Sequence, residues 1–89
     1  MAKVKCLAIP GMELWFNSND HSPPHFHAMR AGQWEVRVFF LEGSTGKMFK
    51  VKWPRGKSVP RGDLKLLEEN VQTYRVELLE EWERKVQPQ

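Results

Sequence analysis

The chain has one cysteine, one tyrosine and no long apolar run, and each scarcity excludes something. A lone Cys6 cannot form an intramolecular disulfide, which points to a reducing compartment and a thiol buried as a small hydrophobe. Before Pro10-Gly11 the apolar run is only about four residues, too short for the hydrophobic region of a secretory signal or for a membrane span. The expected setting is therefore the cytoplasm, with no membrane partner. There is no glycine-rich phosphate loop, no Ser-His-Asp arrangement, no helix-turn-helix and no RNA-recognition signature. Internal repeats, low-complexity tracts and a second domain boundary are also missing.

What is present is an ordinary globular composition, 40% apolar and 28% charged over 89 residues. One core is all such a length can bury, so residues 1–89 are read as a single domain of modest stability, to which a metal ion or partner chain would contribute appreciably. The net charge of +3 hides an asymmetry. Residues 1–65 carry eleven Lys/Arg against five Asp/Glu, and residues 66–89 carry three against six. A basic body attracts polyanions, whereas a glutamate-rich tail suits a solvated helix face or a basic partner.

Alternation predicts a sheet region over 12–53. Met12, Leu14 and Phe16 share one side of a strand and Glu13 and Trp15 the other. After Pro23-Pro24, a second strand runs from His25 to Arg30 and closes at Ala31-Gly32. Trp34, Val36, Val38 and Phe40 alternate with Glu35, Arg37 and Phe39 in the clearest strand. A hairpin loop over 41–46 then leads to a return strand from Lys47 to Trp53, which carries Lys50 and Lys52 on one face. Residues 54–62 form a basic, proline- and glycine-punctuated connector. A helix over 63–86 follows, with Asp63 or Ser58 as its N-cap. Its stripe is Leu64, Leu67, Val71, Tyr74, Leu78 and Trp82, widened by Leu79, while Glu68, Glu69, Gln72, Arg75, Glu80 and Glu81 lie away from it. The expected fold is α+β: a three- to four-stranded antiparallel sheet packed against one long C-terminal helix.

All three histidines fall within seven residues, in Asn19-Asp20-His21-Ser22-Pro23-Pro24-His25-Phe26-His27. In a strand His25 and His27 share a face, about 7 Å apart, with Phe26 turned to the core. Two imidazoles so placed can chelate one divalent metal, with His21 or Asp20 as a third ligand and an open position for water, as hydrolytic zinc or an iron dioxygenase would use. Alternatively His25 and His27 serve as general acid and base in a metal-free ribonuclease, with Lys50, Lys52 or Arg37 stabilising the transition state. The third reading is architectural: a rigid turn in which Asp20 accepts backbone amides and the imidazoles satisfy buried carbonyls or stack on Trp15 or Trp34. Nucleic acid is a further candidate ligand, for Arg37, Lys50, Lys52, Arg55 and Lys57, with nearby aromatic groups to stack bases.

The run from Trp15 to Ala28, with its Asn-Asp-His then Pro-Pro-His-Phe-His-Ala core, together with Leu78-Leu79-Glu80-Glu81-Trp82, resembles the bacterial domain-of-unknown-function 4160 family over nearly the whole chain. The resemblance makes Asp20, His21, Pro23, Pro24, His25 and His27 the family motif without assigning them a chemical role. Members are short proteins without an established activity, often encoded beside a domain-of-unknown-function 2442 protein in a toxin–antitoxin-like arrangement. The resemblance thus implies an accessory or interaction domain with a small cognate protein partner and a link to nucleic acid.

Overall fold

A computed structural model describes residues 2–56 and 58–86. Five strands, β1 (Ala2–Lys3), β2 (Glu13–Phe16), β3 (Phe26–Arg30), β4 (Trp34–Val38) and β5 (Phe49–Trp53), form one antiparallel meander in the order β1-β2-β3-β4-β5. The one-turn helix α1 (Thr45–Met48) precedes β5, and α2 (Arg61–Lys85) ends the domain. The α+β expectation holds, with one strand more than foreseen. Strand β1 has only two residues and no alternation of its own; it exists because Ala2 and Lys3 pair with Phe16 and Trp15 on the edge of β2.

Cross-strand partners share a face, so the register sorts the side chains. Leu14 lies opposite Ala28, Ala28 opposite Val36, and Phe26 opposite Val38. With Phe16, Trp34 and Phe40 they make a fully buried apolar face, which Leu67, Val71, Leu78 and Trp82 of α2 cover. The ring of Trp82 meets Phe16 edge-on.

Several local expectations are corrected. The 41–46 loop ends in α1, so Met48 is a buried helix residue rather than a strand residue, and β5 begins at Phe49. The helix starts at Arg61 with Pro60 at the cap position and no side-chain cap. Asp63 is used elsewhere: its carboxylate accepts from Arg30 Nη2 at 2.9 Å and from the indole N–H of Trp34 at 3.1 Å, tying the start of α2 to β3 and β4. The helix bends at Tyr74, where φ is −113° and ψ 19°. Just before it Thr73 Oγ1 donates to the Glu69 carbonyl, a bond that competes with the helical ladder and favours bending.

Glu81, assigned from its spacing to the solvent side, is instead 3% exposed. Its carboxylate accepts both backbone N–H groups of Lys5 and Cys6, and Lys85 Nζ at 2.7 Å. This bond set clamps the chain between β1 and β2 onto the last turns of α2. Burial opposes the charged carboxylate, but these hydrogen bonds outweigh it and hold the Glu81 carboxyl down at about 2.

The Cys6 thiol beside it is pushed up to about 12, first by burial and then by the Glu81 carboxylate. It stays protonated and unreactive at neutral pH. Iodoacetamide at pH 8 should therefore label the native protein far more slowly than the urea-unfolded chain, where the thiol titrates near its ordinary 9.0. Equal rates would show Cys6 to be free of this environment.

Candidate metal centre and basic face

The second face of the sheet lies away from the α2 stripe that covers the apolar one. Trp15 lies opposite His27, His27 opposite Arg37, and Arg37 opposite Lys50, so one row crosses four strands from aromatic ring to imidazole to two cations. The segment between β2 and β3 folds back over the His27 end of this row. It is closed by two bonds: Asp20 N–H donates to the Asn17 carbonyl at 3.1 Å, and Asn17 N–H donates to Asp20 Oδ2 at 3.2 Å. The carboxylate of Asp20 is thereby aimed at the imidazoles, as the expected side chain–backbone turn requires.

His25, just ahead of β3, is 7% exposed and His27 2%. Their rings lie 5.2 Å apart at 70°. Both Nε2 atoms face one oxygen, Asp20 Oδ2, at 3.4 Å from His25 and 2.9 Å from His27. Trp15 stacks on His27 at 5.4 Å and 15°, whereas Trp34 lies on the opposite face and takes no part. Phe39 and Trp82 wall in His25, with centroids at 5.0 and 5.6 Å. Burial pushes the His27 imidazole below its ordinary pKa, against the opposing pull of the Asp20 carboxylate.

The proton count at this cluster is informative. His25 Nδ1 lies 2.9 Å from the Pro23 carbonyl, which can only accept, so Nδ1 carries the proton and neutral His25 offers a bare lone pair at Nε2. That lone pair faces a carboxylate oxygen. His27 Nε2 meets both Asp20 Oδ2 and, at 3.1 Å, the Asn17 amide nitrogen, which can only donate. A neutral His27 cannot satisfy both, and its Nδ1 is buried without a partner. A cation among the two Nε2 atoms and Oδ2 would resolve the facing lone pairs. The three atoms lie within 4.8 Å of one another. The 2.9 and 3.4 Å separations of the two Nε2 atoms from Oδ2 are those of neighbouring ligands about 2.0–2.2 Å from one zinc-like ion, and His25, whose other N–H is held by a carbonyl, has the usual form of a metal-bound histidine.

Of the four ligands expected from sequence, the structure joins Asp20, His25 and His27. His21 is exposed and outside the cluster. Pro23 supplies the carbonyl that sets the His25 tautomer. Asn17 was missed, as was Trp82 as a wall of the site; the helix stripe marks Trp82 as buried but not what it meets.

A family model described as Domain of unknown function (DUF4160) matches residues 11–83. The chain belongs to this family. The DUF4160 match covers the whole histidine cluster, β2 to β5 and α2 through Trp82, and leaves β1 outside. No curated protein and no solved structure matches the chain. Among the described residues no helix is long and apolar enough to cross a membrane.

Where the β4–β5 pairing shifts register, Arg37, Lys50, Val51, Lys52 and Arg55 line a shallow depression at the edge of the sheet. Lys52 is engaged with Glu35 at 3.4 Å. Lys57, the fifth expected cation, lies outside the described residues.

Proposed function

We propose that this DUF4160 protein is a metal-binding domain that holds one divalent ion, zinc foremost, through Asp20 Oδ2, His25 Nε2 and His27 Nε2. The observation that carries the reading is the His25 geometry: with Nδ1 held by the Pro23 carbonyl, the Nε2 of the neutral ring is an acceptor that faces a second acceptor. Three protein ligands leave coordination positions for water on the side of Asp20, the most exposed member at 16%. Metal-free acid–base catalysis fits the geometry less well. A ribonuclease needs its two imidazoles on either side of a phosphate, and here they touch one another and share one carboxylate oxygen.

Isothermal titration of untagged protein with Zn²⁺ should give one site per chain, and ¹⁵N spectra should show both Nε2 resonances moving. Asp20→Asn, a conservative change at the most exposed ligand, should weaken binding roughly 10- to 100-fold or more. No uptake at micromolar zinc, or uptake unchanged in Asp20→Asn and His25→Gln, overturns the proposal. The biological setting suggested by the family resemblance is an accessory role in a toxin–antitoxin-like pair with a domain-of-unknown-function 2442-like protein. Co-expression of the two chains followed by size-exclusion chromatography tests it, and separate elution would remove it.

A further inference from the structure

We infer that the sheet face away from the α2 stripe is a binding surface for single-stranded nucleic acid, with Arg37, Lys50, Lys52 and Arg55 along the phosphodiester backbone. Four cations from two adjacent strands and the turn after β5 converge on one depression, and among the described residues only Lys52 has a carboxylate partner. The side chains of Arg37, Lys50 and Arg55 have no ion-pair or hydrogen-bond partner among the described residues, and Arg37 Nε is buried without an acceptor. Cations that are not neutralised internally and lie on one concave surface favour an extended polyanion over a compact one.

Most of the exposed glutamates lie off this face. Glu69, Glu77, Glu80 and Glu83 are exposed on α2, which covers the opposite face of the sheet, while exposed Glu13 lies on the open face at β2, three strands from β5. On the open face Glu35 is turned inward at 9% exposure, held by the Trp53 indole N–H at 3.2 Å as well as by Lys52. Half-buried Trp53, next to Lys52 in β5 and lining the neighbouring depression with Gly32 and Gln33, is an aromatic side chain able to stack an unpaired base, which a duplex does not offer. The surface does not depend on the metal site: Arg37 is the cross-strand neighbour of His27, but the cations lie on β4, β5 and the turn beyond.

Fluorescence anisotropy with labelled single-stranded RNA and DNA 20-mers, in EDTA to keep the result separate from metal binding, tests the inference. Three or four phosphate contacts predict a slope of log K against log salt of about −2 to −3. The exposed pair Lys50→Glu with Arg55→Glu should weaken binding at least roughly ten-fold, while Lys65→Glu with Arg84→Glu on α2 should leave it unchanged. Circular dichroism would confirm that each variant is folded. Absent or salt-insensitive binding, or binding indifferent to the Lys50/Arg55 reversal, overturns the inference. So does tighter binding to the matching duplex, or equally tight binding to polyglutamate, which would point to an acidic protein partner.

Discussion

Zinc at about a hundred-fold excess over its Kd should raise the unfolding free energy by about 2.7 kcal/mol, because an ion that binds only the folded chain stabilises it by mass action. For a domain of this size each kcal/mol moves Tm by about 4–8 °C, so a shift of ~10–20 °C is expected in a calorimetric scan. The cluster is the reason for a folded-state-only effect. Asp20 reaches the imidazoles through the turn it closes with Asn17, and His25 is oriented by the Pro23 carbonyl and confined by Phe39 and Trp82. An unfolded chain keeps the residues but not the convergence. His27→Gln should abolish the zinc-dependent shift, and a shift that survives in this variant would place the ion elsewhere.

Glu81→Ala is expected to cost about 3 kcal/mol, comparable to a large core truncation, because it strips acceptors from two backbone N–H groups and leaves Lys85 without its carboxylate. Urea denaturation of the two proteins at pH 7 measures the difference; a loss below about 0.5 kcal/mol would mean the clamp is dispensable. Glu81→Gln separates charge from shape. The carboxyl titrates near its ordinary 4.5 in the unfolded chain and at about 2 when folded, so its contribution is complete above pH 4.5 and is lost as pH falls toward 2. The gap between wild type and Glu81→Gln should therefore be widest near neutral pH and close progressively below about pH 4.5. A gap independent of pH would show that ionisation contributes nothing to the clamp.

Both effects rest on residues whose roles were unevenly legible. Asp20, His25 and His27 were identifiable as a group because clustering of rare side chains and period-two alternation are local properties. That His27 would be 2% exposed on the face away from the α2 stripe was not, since the cover comes from the Asn17–Pro24 segment folding back. Glu81 was misplaced because a helical wheel ranks positions by the apolar stripe, and this position is buried by polar contacts with a segment 75 residues earlier.

By itself the sequence determined the α+β class, the alternation that makes one sheet face apolar, the long amphipathic C-terminal helix, and family membership through the Asn-Asp-His and Pro-Pro-His-Phe-His motif. These follow from periodicity and composition within short windows. Only the tertiary structure decided the fifth strand, the burial of Glu81, the exclusion of His21, and the row running from Trp15 through His27 and Arg37 to Lys50. Each depends on strand register and chain return, which bring together residues that no local pattern connects.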